Sequence, residues 1–177
     1  IAPSIINVTS TTANGSYKEN ETINVSIVFD ETISADTTNG TPTLELASGG
    51  ATNAIINYVS LTTTTKNNDT MNFTYTVQNG DTSVDLDYAT NSLVLNNGTI
   101  KNGAGNNAIL TLATPGTAGS LGANKAIVID TTAAAQATVD AVFTGPQTVV
   151  GGANVTIVSS GDATNNIWIA PAGTTIF

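Results

Sequence analysis

An alternating stretch near the middle of the chain is the feature that most constrains its fold. Within residues 71–77 a large apolar side chain occupies every second position, and Asn or Thr occupies the positions between. This period of two is typical of a strand with one buried and one solvated face. Asn79-Gly80-Asp81 then provides a turn signal, and residues 83–88 alternate again. The stretch predicts two strands joined by a tight turn, in the layer of a β-sandwich or barrel.

Short candidate strands recur along the chain and are separated by Gly, Asn, Pro or Thr. They fall at residues 4–8, 23–29, 44–46, 54–61, 93–95, 97–100, 108–112 and 126–130. Residues 62–69 and 115–124 are polar or Gly/Ala-rich and are predicted to be loops, and no stretch has convincing helical periodicity. Short strands at this spacing are typical of a sandwich. The predicted fold class is therefore all-β.

A change of composition at Thr131 indicates a domain boundary. We predict one β-sandwich over residues 1–131 and a second, partial β-unit over 132–177, with strands at 139–143, 155–158, 167–169 and 174–177. Four strands make a thin core, and a chain that begins at Ile1 is expected to be a processed product or a fragment. The favoured interpretation is a truncated second domain. The alternative is that the last strand pairs with the sheet edge of another molecule. Its assembly residues would be Thr174, Thr175, Ile176 and Phe177.

The charge and the missing residue types exclude several classes of function. Thirteen acidic residues against four lysines give a net charge of -9, which repels nucleic acid and anionic lipid. The absence of Cys and His excludes disulfides, thiolate catalysis and histidine-based acid/base chemistry. No apolar run is long enough to insert into a membrane. Paired carboxylates of the glycosidase type are the remaining catalytic route, but no pair stands out, so we expect a protein that is not an enzyme.

Several sequence blocks follow one another between residues 3 and 131 and together carry a resemblance to a known kind of repeat. They are Val28-Phe29-Asp30-Glu31, Thr41-Pro42-Thr43-Leu44, residues 73–81 continuing to Asp85-Leu86-Asp87-Tyr88, residues 97–106, and residues 120–131. In this order the chain resembles the bacterial immunoglobulin-like repeats of large surface adhesins and related extracellular proteins. Residues 168–175 resemble the first half of a different repeat found in similar proteins.

The resemblance implies an immunoglobulin-like sandwich of seven or more strands without catalytic activity. It implies a structural or adhesive module of an extracellular cell-surface protein, with a filament or surface-layer subunit as one version. The implied partners are neighbouring copies or adjacent immunoglobulin-like domains. Such repeats often hold calcium through Asp and Glu, which points here to Glu31 and Asp130. Two positions depart from the pattern, because Asn102 stands where Asp is usual and Thr32 stands where Pro is common.

Two further groups of acidic residues are candidate calcium ligands. Asp85 and Asp87 lie two apart on the polar side of a predicted strand, so their carboxylates would point the same way about 7 Å apart. Asp30 and Glu31 form a second group near Asp36. Calcium favours clustered carboxylate and carbonyl oxygens, and it is the one cofactor that we predict. A solvated strand face is the simpler interpretation of both groups.

Asparagine residues provide candidate sites of modification. The chain contains nine Asn-X-Ser/Thr sequences, a modest excess for this composition, and each is a candidate glycosylation site. They begin at Asn7, Asn14, Asn20, Asn24, Asn39, Asn68, Asn72, Asn97 and Asn154.

The alternative function is a carbohydrate-binding β-sandwich, which would need an exposed aromatic side chain. Trp168 is the only tryptophan, and its apolar neighbours favour a place in a core.

Overall fold

The computed structural model of this protein describes residues 1–64, 68–132, 155–157 and 168–170. It divides into two compact units, Ile1–Thr131 and Thr132–Phe177. In chain order, the elements are β1 (Ile5–Ser10), β2 (Gly15–Tyr17), β3 (Thr22–Phe29), β4 (Ser34–Asp36), β5 (Thr43–Leu46), β6 (Ala54–Thr62), β7 (Thr70–Thr76), β8 (Thr82–Ser83), β9 (Thr99–Lys101), α1 (Leu121–Asn124), β10 (Ile127–Asp130), β11 (Val155–Ile157) and β12 (Trp168–Ala170). The predicted all-β class is confirmed.

A five-stranded antiparallel sheet forms the main layer of the first unit. Its strand order is β1-β3-β7-β6-β5. The pairing of β3 with β7 places Val25 opposite Phe73 and Ile23 opposite Tyr75. These four side chains are buried, so the alternation in the two sequences produces one continuous apolar face.

The second layer is less regular and covers that apolar face. Strand β10 lies between β2, to which it is parallel, and β8, to which it is antiparallel, while β4 pairs with β9. Buried residues of this layer include Leu86, Ile100, Leu121 and Ile127, and they belong to the same apolar cluster as the inner residues of the five-stranded sheet. Burial of this shared apolar surface is the main stabilising contribution to such a two-layer fold.

The hairpin predicted for residues 71–88 is wrong, although its first strand and its turn are present. The backbone N–H of Asp81 donates to the carbonyl of Gln78 at 3.1 Å, and Gly80 has a φ of +88°, which favours glycine. After the turn, the chain leaves the sheet of β7. The next strand, β8, is only two residues long and pairs with β10. In the alternation of residues 83–88, Val84 falls on the apolar side with Leu86 and Tyr88, but it is 92% exposed.

Some other local predictions also differ from the structure. Residues 93–95 and 108–112 contribute only isolated bridges, such as that between Val94 and Thr43. The short strands β2 and β4 were not predicted. The predicted loop 115–124 contains helix α1, which begins after Ser120 because the Ser120 side chain accepts a hydrogen bond from the Ala123 N–H.

The second unit contains one described pair of strands. Strands β11 and β12 are antiparallel, with Thr156 opposite Ile169. They overlap the predicted strands at 155–158 and 167–169, and β12 extends one residue further to Ala170. The predicted strands at 139–143 and 174–177, including Thr174, Thr175, Ile176 and Phe177, lie outside the described residues, as does Asn154. In the described part of the chain, the only helix has four residues. No helix there is long and apolar enough to cross a membrane.

Candidate functional site

One candidate site is an open cleft at the end of strand β3. It has a volume of about 330 Å³ and is lined by Asp30, Glu31, Thr32, Asn102, Gly103 and Ala104. The loop that follows β9 approaches the acidic residues that follow β3. The structure thus brings two predicted metal ligands, Asp30 and Glu31, together with the position at which the sequence departs from the repeat pattern.

The Asn102 side chain connects three parts of this cleft. Its Nδ2 atom donates to Oε2 of Glu31 at 2.8 Å and to the carbonyl oxygen of Ile1 at 2.7 Å. Its Oδ1 atom accepts the backbone N–H groups of Ala104 and Asn106 at 3.1 and 3.0 Å. The amide nitrogen therefore lies between a carboxylate and a carbonyl oxygen, which are ligand types that a hard cation prefers. In this arrangement, an amide donor satisfies both oxygens.

Asp30 has a separate set of contacts on the same side of the molecule. Its Oδ2 accepts the Ser4 hydroxyl and its Oδ1 accepts the Ser4 backbone N–H. These hydrogen bonds stabilise the charged form and hold the pKa of Asp30 below its ordinary value. Through this pair, Asp30 attaches the residues before β1 to the end of β3.

Asp85 and Asp87 were predicted to share the polar face of a strand, and this prediction is wrong. Neither residue lies in a strand, and Asp85 is exposed whereas Asp87 is buried. Oδ2 of Asp87 accepts the Gly116 N–H at 2.9 Å, and Oδ1 accepts the Tyr88 N–H at 2.9 Å. The carboxylate of Asp87 therefore connects irregular segments of the second layer.

The two aspartate carboxylates nevertheless approach one common point, the position that a Cβ atom would take at Gly122 of α1. A Cβ atom at that position would lie 2.9 Å from Oδ2 of Asp87 and 3.3 Å from Oδ2 of Asp85. Glycine leaves the space that both carboxylates occupy. The two carboxylates therefore lie near one another at Gly122, although they do not share a strand.

The remaining candidate ligand, Asp130, is at the exposed end of β10, opposite Thr82 of β8. The five candidates thus lie in three places: Asp30 with Glu31, Asp85 with Asp87, and Asp130. Among the residues that the structure describes, no group of three or more acidic side chains is arranged to hold a metal ion. Calcium binding stays a prediction.

Two buried carboxylates have structural roles that the sequence did not reveal. Asp69 is fully buried, and its two oxygens accept the backbone N–H groups of Ile33 and Thr64 at 2.9 and 3.0 Å. Asp81 is 4% exposed and accepts hydrogen bonds from Tyr75, Ser48 and Gln78. In the sequence, the only indication of these roles is that both aspartates lie just before or just after an alternating strand. Exposed aspartates occupy similar positions, so this indication does not identify the buried ones.

A second candidate site is the outer face of the five-stranded sheet. We call its central part the polar face. It consists of Thr22, Asn24, Ser26, Ser60, Thr62, Thr70, Asn72, Thr74 and Thr76, which register across β3, β7 and β6. All nine side chains are uncharged hydroxyls or amides. In the five strands of this sheet, Glu45 is the only charged residue, although the chain carries a net charge of -9.

Hydrogen bonds between neighbouring side chains order this polar face. The Ser26 hydroxyl donates to Oδ1 of Asn72 at 3.1 Å, and Nδ2 of Asn72 donates to the Thr62 hydroxyl at 2.9 Å. The Thr74 hydroxyl donates to Oδ1 of Asn24 at 3.3 Å. These bonds fix rotamers, which lowers the entropy that a partner would have to overcome.

No protein-family model, curated protein or solved structure matches this chain. The interpretation of both sites therefore depends on their own chemistry.

The candidate glycosylation sites differ in accessibility. Of the eight candidate asparagines that the structure describes, six are exposed and two, Asn7 and Asn72, are half-buried. The exposed six are Asn14, Asn20, Asn24, Asn39, Asn68 and Asn97. Nδ2 of Asn72, the atom that would carry a glycan, already donates to Thr62. The geometry favours Asn24 over Asn72 as an acceptor on the sheet face.

Aromatic side chains in the described part of the first unit are buried or half-buried. Phe73, Tyr75 and Tyr88 are in the core, and Tyr58 packs edge-on against Phe73 with ring centroids 6.2 Å apart. Burial raises the pKa of Tyr58 and Tyr75, and it raises the pKa of Tyr88 to about 12. Trp168 begins β12 in the second unit, and its side chain lies outside what the structure describes.

Proposed function

We propose that this protein is a non-catalytic structural or adhesive module of an extracellular cell-surface protein, with an immunoglobulin-like sandwich as its first unit. The observation that carries the proposal is the ordered, uncharged polar face on a two-layer β-scaffold. Surfaces of hydroxyls and amides can meet another surface without removing full charges from water. A filament or surface-layer subunit is the version of this role that the neutral face favours.

The use of the carboxylates supports a structural role over catalysis. Asp69, Asp81 and Asp87 are buried and accept two or more hydrogen bonds each from neighbouring segments. A catalytic pair would instead have both carboxyl groups facing a substrate cleft. In the cleft at Asp30 and Glu31, one carboxylate binds Ser4 and the other binds Asn102.

Closed sheet edges also support a module that is stable beside many copies of itself. Thr43 of edge strand β5 exchanges two backbone hydrogen bonds with Val94, at 2.8 and 2.9 Å. On the opposite edge, Val8 of β1 donates to the carbonyl of Gly119 at 2.8 Å. Covered edges limit strand pairing, so assembly through this sheet would use its face, and a strand such as Thr174 to Phe177 would need a different edge as its acceptor.

Calcium and glycans belong to the same proposal as modulators. The cleft at Glu31 is the calcium candidate that has both a carboxylate and a nearby carbonyl oxygen. Exposed asparagines in turns outside the five-stranded sheet, such as Asn39 and Asn97, are the glycan candidates. The carbohydrate-binding alternative has less support, since the polar face contains no aromatic side chain on which a sugar ring could stack.

Electron microscopy of the full chain, in calcium and then in chelator, tests the proposal. Filaments or sheets in either condition are the expected result, and their loss in chelator would add a calcium dependence. Size-exclusion profiles of the same samples measure assembly in solution. A monomer in both conditions that also fails to bind cell surfaces would overturn the structural or adhesive role.

A further inference from the structure

The chemistry of the polar face restricts the kind of partner that it can bind. Hydroxyl and amide side chains each contain both donors and acceptors, so a surface made of them is complementary to a copy of itself. A charged partner would lose hydration without gaining an opposite charge. We propose that the polar face pairs with the polar face of a second copy of this chain, an inference that rests on the proposed structural role.

The overall charge favours this face as the place where copies meet. Two molecules of net charge -9 repel each other, and the repulsion is strongest where acidic side chains approach. Asn24 and Thr74 lie opposite each other on adjacent central strands, and both are exposed. Contact centred on this pair places uncharged side chains at the middle of the interface.

Neighbouring apolar residues add an attractive contribution at the rim. Ile55 and Val59 of β6 are 68% and 62% exposed. Val59 falls at a register shift between Tyr58 and Ser60, an irregularity that turns a side chain out of the ladder. Burial of such side chains on association is favourable in proportion to the apolar area that leaves water.

The size of the face predicts a reversible contact. Three strands spaced about 4.8 Å apart, each about seven residues long, give the polar face an area of roughly 350 Å², and the neighbouring strands β1 and β5 extend the sheet face to roughly 550 Å² per copy. Interfaces of about 1,000 Å² in total belong to the transient class. We therefore expect a concentration-dependent equilibrium, which many copies in a row would strengthen through multivalency.

Sedimentation of the full chain with charge variants at Thr74 tests the pairing. In a two-fold contact centred on Asn24 and Thr74, Thr74→Glu brings two introduced carboxylates together, and Thr74→Lys brings two ammonium groups together. Each variant alone should associate at least about tenfold more weakly than the natural protein. A mixture of the two variants should recover association, since opposite charges then meet. Ser16→Glu, at an exposed hydroxyl of β2, is the matched control and should leave the equilibrium unchanged.

The salt dependence of association is a second measurement. Pairing through the polar face and association through ion pairs should respond to salt in opposite directions. Salt screens the repulsion between two acidic molecules, so pairing through neutral faces should strengthen as salt is raised. Association through ion pairs should weaken instead and would overturn the proposal. Circular dichroism of each variant confirms that it is folded.

The outcomes separate this inference from the proposed function. Filaments or dimers that persist unchanged in Thr74→Glu overturn pairing through the polar face and leave the structural role standing. A protein that is monomeric at every concentration and salt also overturns the pairing. If a neutral oligosaccharide then shifts the side-chain amide signals of Asn24 and Asn72, the occupant is a glycan.

Discussion

The hydroxyl of Tyr75 donates to Oδ2 of Asp81 where the chain passes from the five-stranded sheet to the second layer. The two residues are 1% and 4% exposed. The same carboxylate accepts the N–H of Gln78 at 3.1 Å, and its other oxygen accepts the Ser48 hydroxyl at 3.2 Å. This buried group thereby holds β7, the turn after it and the segment after β5 in one arrangement.

Removal of the Tyr75 hydroxyl should destabilise the fold. Tyr75→Phe leaves Asp81 buried with one donor fewer, and loss of a hydrogen bond to a buried charged group costs about 1–3 kcal/mol. Urea unfolding of the full chain measures this change. Tyr17→Phe is the matched control, because the Tyr17 hydroxyl binds the Ala13 carbonyl at an exposed position. An equal effect of the two substitutions would contradict the role of Asp81.

Alkaline pH should destabilise the protein through its buried tyrosines. Burial raises the pKa of Tyr75, and the hydrogen bond to Asp81 adds to the shift. Burial, with the nearby Asp87 charge, raises the pKa of Tyr88 to about 12. The folded state therefore holds these protons more tightly than the unfolded chain, in which tyrosine has a pKa of about 10.

The contribution is complete below pH about 10 and decreases as the pH rises toward the folded pKa values, by about 1.4 kcal/mol per pH unit for each tyrosine. Urea unfolding between neutral and alkaline pH measures the slope. Tyr88→Phe should make the slope shallower in that window. An unchanged slope in both Tyr75→Phe and Tyr88→Phe would contradict the account.

Ser4 should control the ionisation of Asp30. Its hydroxyl and N–H lower the pKa of Asp30, so the charged carboxylate favours the folded state above the unfolded pKa of about 3.9, and the effect is lost as the pH falls. Ser4→Ala should raise the pKa of Asp30 in an NMR titration. Asp36 serves as the internal control, because Thr38 lowers its pKa independently. A shift of both groups would indicate a general change of structure.

A methyl group at Gly122 should disturb the Asp85 and Asp87 pair. The added Cβ would lie 2.9 Å from Oδ2 of Asp87, and crowding of this kind in a packed region costs about 1–3 kcal/mol. Gly103→Ala is the matched control, since no atom lies within 4 Å of a Cβ at that position. Thermal unfolding should show a loss for Gly122→Ala alone. Equal stability of the two variants would contradict the described packing.

Calcium affinity should depend on the atom that residue 102 presents to Glu31. In the natural chain, Nδ2 of Asn102 donates to Glu31 and to the Ile1 carbonyl. Asn102→Asp replaces this donor with an acceptor, so three oxygens would converge on one point. Calorimetric titration should show tighter calcium binding in Asn102→Asp than in the natural chain. Magnesium is the control ion, and equal affinities of both proteins for calcium would exclude this cleft.

The parts of the fold that the sequence predicted are those in which burial alternates regularly. Residues 23–29 and 71–77 were assigned correctly, because every second side chain enters the core. Residues 83–88 have the same pattern but a different structure, in which Leu86 is buried and Val84 is exposed. Alternation does not reveal the hydrogen bond between Tyr75 and Asp81 in the turn. It also does not reveal that the chain after Asp81 continues into the other layer.

The candidate sites show the same difference between local pattern and long-range contact. Sequence proximity correctly placed Asp30 beside Glu31, but Asn102 reaches Glu31 from seventy-one positions away. Asp85 and Asp87 both approach Gly122, which lies thirty-five or more positions further along the chain. The neutrality of the polar face can be read from the strands, whereas its network through Asn72 requires the register of β3, β7 and β6.

NMR spectra of the isotope-labelled full chain over a wide concentration range show which residues lie where two copies meet. If copies meet through the polar face, the backbone signals of Thr74 and Thr76 and the side-chain amide signals of Asn24 and Asn72 should shift together as concentration rises. Signals from Ser16 and from the cleft at Glu31 should stay in place. Shifts confined to that cleft, or no shifts while sedimentation shows association, would contradict the claim.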